Sequence, residues 1–270
     1  MSTPTVVFPL RVTFDSNVLQ KAVMPSLASK TDLFAEYVTI HDALQGNRVQ
    51  GFICETVGTL EAIRNDARKA YFTSIKPKVS VQVVNASHRQ APLKIDMGTT
   101  HDQHPGLYRV LEERLRLAIA LGMRLMRAPR MTIPIPALML DLSVFADETD
   151  VPISAARDNR WGDVAETIAH RGVGSALLRS LQKKAGGRAD AIEEKDFARA
   201  VAEWADGDSV AAHVAYNNDL FCTEDQGKSA GGNSIFDASN RRWLAVTYGV
   251  KFATVRELAG RLRATGTMGS

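Results

Sequence analysis

The chain has 270 residues, 45% of them hydrophobic, enough to bury a sizeable core in one large domain or in one domain carrying an insertion. Its formal charge of +3 tolerates a polyanionic partner without demanding one, and two cysteines, Cys54 and Cys222, are too few for a disulfide framework. No apolar run is long enough to span a bilayer. No secretory leader is visible, because Pro4, Pro9, Arg11 and Asp15 interrupt the first segment, so a cytoplasmic location is expected.

Val6 to Phe14 predicts a first strand, and the apolar spacing over residues 18–46 predicts helix. Val49 to Cys54 reads as a second strand, followed by helix from about Thr56 to Phe72. Strand, helix, strand, helix over the first 75 residues argues for a parallel sheet covered by helices. The alternation then breaks. Val79–Val84 and Pro92–Ile95 predict a hairpin or an added strand pair, residues 97–106 a loop, and the stretch to about Met126 a helix. Pro129, Pro134 and Pro136 exclude regular helix there. Residues 147–162 read as loop, with helices over about 163–184 and 193–205. Gly207 reads as a break, with a helix from Asp208 to about Tyr216, a strand at Leu220–Thr223 and a flexible loop at Gly227–Gly232. A helix around 239–247, a last strand at Val250–Val255 and a closing helix from Glu257 complete the chain.

An apolar run that stops at an acid reads as a buried parallel strand carrying a carboxylate to the sheet's C-terminal edge, where open α/β sheets bind ligands. Val12-Thr13-Phe14-Asp15 and Leu220-Phe221-Cys222-Thr223-Glu224-Asp225 both have this form, with Asp208 nearby in sequence. Carboxylates gathered at one edge repel one another unless a cation lies between them, and hard oxygen ligands suit Mg2+ or Mn2+. Taken singly, each acid reads first as a cap or turn residue: Asp208, directly after Gly207, as an N-cap, and Asp219 as turn chemistry.

These motifs together resemble the PIN-domain nuclease family over about residues 5–75 and 195–262. Asp15-Ser16-Asn17 matches its first strand end. Asp208 with Val210, Ala211, Ala212 and Ala215 matches the helix opened by a later acid, and Thr223-Glu224-Asp225 matches its strand ending Thr-x-Asp. A further acid follows the second strand in that family. Glu61, in Thr59-Leu60-Glu61, is favoured over Glu55, although it lies one residue farther from the strand than the usual pattern. The interval from Asp208 to the Thr-x-Asp strand is about one residue short, and Asp206 is the fallback should the register of Asp208 differ.

The resemblance implies a single α/β domain over residues 1–270. Its open, PIN-like parallel sheet has about five strands flanked by helices, and residues 76–194 form a large, mostly helical insertion. It also implies Mg2+- or Mn2+-dependent hydrolysis of phosphodiesters in RNA. Asp15, Asp208 and Asp225 would be metal ligands, Glu61 would hold or orient a metal water, and Asn17 and Thr223 would orient carboxylates or contact phosphate. Lys228 is placed to face a nucleic-acid backbone. Single-stranded RNA is the favoured partner, with DNA, an antitoxin or other protein partner, and self-association left open. The family's toxin members are small and lack such an insertion.

The rival readings are a PIN-like module that holds RNA or protein without cutting, a haloacid-dehalogenase-type phosphatase and an acetyltransferase. The phosphatase needs an acid where Asn17 stands. The acetyltransferase rests on Arg171-Gly172-Val173-Gly174-Ser175, where no strand precedes the loop. Gly227-Lys228-Ser229 lacks the earlier glycine of a phosphate-binding P-loop, since Cys222 occupies that position. His101-x-x-His104 has metal spacing but no evident third ligand, and His213 reads as packing.

Overall fold

The structure is a computed structural model that describes residues 9–81, 93–99, 105–129, 136–146, 151–227 and 234–266. Lys228, His101 and His104 lie outside the described residues.

Five strands form one parallel sheet: β1 (Leu10–Phe14), β2 (Val49–Cys54), β5 (Arg124–Met126), β6 (Leu220–Cys222) and β7 (Phe252–Ala253), in the order β5-β2-β1-β6-β7. Both faces of the sheet are covered, so Phe52-Ile53-Cys54 and Leu220-Phe221-Cys222 are apolar at successive positions, whereas β1 has Arg11 and Thr13 between its apolar residues. Val12, Phe14, Ile53, Leu125, Leu220 and Cys222 enter one core with α1 (Ser16–Val23), α2 (Phe34–Gln45), α4 (Arg109–Ala120) and α9 (Val255–Gly266). Phe52, Cys54, Met126 and Phe221 enter the other, against α5 (Val151–His170), α8 (Ala238–Tyr248) and the second half of α7 (Glu194–Ala215). A third cluster, built on Leu60, Phe197, Val201 and Trp204, joins the first half of α7 to α6 (Ser175–Lys184) and to Phe72 of α3 (Asn65–Ser74). Strands β3 (Ile75–Val81) and β4 (Leu93–Thr99) pair antiparallel in a separate two-stranded sheet, where a hairpin or strand pair is expected.

Several boundaries differ from the sequence expectations, each for a local reason. The helix expected over 18–46 is split, because Pro25 opens a 3-10 turn, Pro25–Ala28, between α1 and α2. The helix expected to reach Met126 ends at Ala120; Gly122 then takes φ +83° and the chain enters β5. The segment expected as an insertion thus supplies the sheet's fifth strand. Residues 151–162, expected as loop, form the first half of α5. The last strand is only Phe252–Ala253.

The largest difference is at Gly207, which does not break the helix. α7 runs unbroken for 22 residues, about 33 Å, with Gly207 near its centre. A β-carbon on Gly207 would lie 3.0 Å from the Cα of Gly174 in the α5–α6 turn. The missing side chain therefore permits a close approach of two backbones and serves packing, not chain reversal. Among the described residues no helix is long and apolar enough to cross a membrane.

Candidate metal and phosphodiester site

From β1 the sheet grows outward through β2 to β5, and the chain then returns to place β6 and β7 on the other side of β1. The order reverses between β1 and β6, and ligands of open parallel sheets bind outside the carboxyl ends of the strands at such a point. Asp15 is the first residue after β1, and Thr223-Glu224-Asp225 directly follow β6.

These two strand ends are tied together by side chains. Asp15 is buried, and its Oδ2 accepts from the Thr223 hydroxyl at 2.5 Å and from Asn17 Nδ2 at 2.8 Å. The Thr223 hydroxyl oxygen accepts in turn from the Asp225 amide at 3.0 Å, and Asn17 Oδ1 accepts from the Glu224 amide at 3.5 Å. Asn17 and Thr223 thus orient the Asp15 carboxylate. Asp225 is held by its own loop: its Oδ1 accepts from the Gly227 amide at 2.7 Å. Gly227 has φ +69°, and a β-carbon there would meet the Asp237 nitrogen at 2.6 Å, so only glycine lets this turn press against the start of α8.

Glu61 ends a π-helical turn, Val57–Glu61, closed by the Ala62 amide donating to the Val57 carbonyl at 2.9 Å. A π turn holds one residue more than an α turn, which absorbs the extra residue between β2 and Glu61. The Glu61 carboxyl lies in the field of Asp15, and its Oε2 is buried with no hydrogen-bond partner. Glu55 has a different place. Its Oε1 accepts from the Ala128 amide at 2.6 Å and its Oε2 faces Arg127 Nη1 at 3.4 Å, which ties the end of β2 to the chain leaving β5.

On α7, Asp206 lies in the field of the other acids. Burial first, then the charges of Asp15, Glu61, Glu203 and Asp225, hold the Asp206 carboxyl well above the usual range. Asp208 lies two residues on, about 200° around the helix, and is buried near the Cys54 thiol; its carbonyl accepts from Trp161 Nε1 at 3.3 Å. The short interval from Asp208 to the Thr-x-Asp strand is the signal in the sequence that points to Asp206, two residues earlier.

The electrostatics carry the mark of clustered acids. Burial raises the Asp15 carboxyl to about 6, with Asp225 adding to the rise and hydrogen bonding from Thr223 and Ser16 opposing it. Burial and the neighbouring Asp15 raise Glu61 to about 7. Two further acids, not singled out by motif, have structural partners. Glu203 is raised by burial and accepts from the Ile235 amide at 3.2 Å, and Glu224 accepts from the Val255 amide at 2.7 Å at the start of α9. His213 packs: its ring meets the Thr13 hydroxyl at 2.9 Å and the Phe221 ring edge-on, and burial lowers it to about 3, so it stays neutral.

The donor set is all hard oxygen, and a buried carboxylate oxygen without a partner is what a cation would satisfy. Among the described residues, no three His, Cys, Asp or Glu side chains converge closely enough to hold one ion as they stand. Comparison with protein-family models, with curated proteins and with solved structures finds no match for this chain.

Proposed function

We propose that this chain is a PIN-like ribonuclease that hydrolyses phosphodiester bonds of single-stranded RNA with Mg2+ or Mn2+. One arrangement carries the reading: Asp15 and Thr223–Asp225, hydrogen-bonded to one another where the strand order reverses, stand with Glu61 so that Asp15 lies in the field of Asp225, Glu61 in that of Asp15, and Asp206 in that of all three. Uncompensated, such a cluster costs stability, so a fold that keeps it has a use for the charge.

Asp15, Asp206 and Asp225 would hold the cation, and Glu61 would hold or orient a water beside it. When bound, the cation acidifies water to a nucleophile near neutral pH and neutralises charge gathering on the phosphate oxygens. The chain's own part is orientation. Thr223 and Asn17 fix the Asp15 carboxylate, and the hydroxyl of Thr223 couples its position to that of Asp225. An extended strand of RNA would approach at the carboxyl edge of the sheet, where open parallel sheets bind ligands.

The second reading is a PIN-like module that holds RNA or protein without cutting. Cleavage of end-labelled single-stranded RNA in Mg2+ or Mn2+ separates the two. Wild type is expected to cleave, and Asp15→Asn, which keeps the shape and removes a ligand charge, is expected to lose about two orders of magnitude or more. A folded wild type that binds RNA but leaves it intact with both ions would establish the non-cleaving module.

A further inference from the structure

Two arginines stand beside the acids, and neither pairs with a carboxylate among the described residues. Arg68, on α3, donates from Nη2 to two main-chain carbonyls, Glu61 at 2.6 Å and Ile63 at 3.0 Å. Arg241, on α8, donates from Nη2 to the Asp225 carbonyl and from Nε to the Phe236 carbonyl at 2.8 Å. Its guanidinium carbon lies 4.8 Å from the centre of the Phe252 ring. Both guanidiniums feel the site: Arg68 the charge of Glu61, and Arg241 the charges of Asp225, Asp15, Glu224 and Glu257.

A guanidinium next to a carboxylate ordinarily takes it in a paired contact and neutralises it. Here the same cations grip the backbone of the residues that bear the acids. We infer that Arg68 and Arg241 are positioning residues: each fixes an acid-bearing segment through its carbonyl oxygens and leaves the carboxylate itself for a cation. The inference rests on the cation-site reading of the acids.

The two grips differ in a way that makes them testable. Arg68 uses a single nitrogen for both bonds, which a lysine ammonium reproduces. Arg241 uses two nitrogens in a fork and packs its plane on an aromatic ring, which lysine cannot reproduce.

The test is calorimetric titration of the full chain with Mn2+ for wild type, Arg68→Met, Arg68→Lys, Arg241→Met and Arg241→Lys, with far-UV circular dichroism to establish that each variant is folded. Both methionine variants are expected to bind Mn2+ roughly tenfold more weakly, as groups that orient ligands do. Arg68→Lys should recover most of that loss, while Arg241→Lys should not. Wild-type affinity in folded methionine variants overturns the inference, as does an identical response of the two lysine variants. If a methionine variant fails to fold, the contrast between the lysine variants decides. Absence of Mn2+ binding by wild type removes the cation reading, and this inference with it, an outcome distinct from affinity retained in the variants.

Discussion

Glu61 shows what the site costs the protein that carries it. Its carboxyl is raised from an ordinary 4.5 to about 7, by burial first and then by Asp15. An acid raised on folding binds its proton more tightly in the folded state. Its stabilising share is therefore complete below about pH 4, falls as pH rises, and is gone above about 7, for an upper bound of about 3 kcal/mol. Asp15, raised from 3.8 to about 6, acts in the same direction. His213, lowered to about 3, acts in the opposite one, because the unfolded chain takes up its proton between about 6.5 and 3. A pH profile of wild type alone mixes these effects, whereas comparison with Glu61→Gln isolates the carboxyl. Without divalent ions, this variant is expected to melt several degrees above wild type at pH 8 and at the same temperature near pH 4, as read by differential scanning calorimetry. An equal difference at both pH values would mean that the substitution acts by packing and not through the charge.

At the scale of elements, the course of α7 bears on which acid would join the proposed site. A continuous helix of 22 residues turns Asp206 and Asp208 to nearly opposite sides, and Asp206 lies in the field of Asp15 and Glu61. Asp206→Asn is expected to weaken Mn2+ binding roughly tenfold or more, while Asp208→Asn should act on thermal stability with far less effect on Mn2+ affinity. The reverse order would mean that Asp208 is the ligand. The strands that bear Asp15 and Thr223–Asp225 were legible in the chain because each is a short apolar run bounded by acids. α7 was not, because Gly207 has the same local signature whether it ends a helix or admits a neighbouring backbone. Its contact with Gly174, 33 residues earlier, has no trace in local sequence. β5 was hidden for a related reason: three residues after a helix are too few to show a period, and only pairing with β2 makes them a strand. The π turn also escaped notice, although the extra residue before Glu61 was its visible sign.

For the whole molecule, the proposed divalent-cation site would be assembled at the carboxyl edge of the sheet from four acids in distant parts of the chain. The architecture favours that edge: helices cover both faces, and the order of strands reverses between β1 and β6, which Asp15 and Thr223–Asp225 directly follow. The acids come from residues 15, 61, 206 and 225, so no short fragment of the chain holds the site, and its formation depends on completion of the fold. The most direct measurement is anomalous diffraction from crystals of the full chain soaked in Mn2+. An anomalous peak bounded by Asp15, Glu61, Asp206 and Asp225 is expected. Well-ordered crystals at saturating Mn2+ with no peak there, or with the ion held elsewhere, such as at His101 and His104, would contradict it.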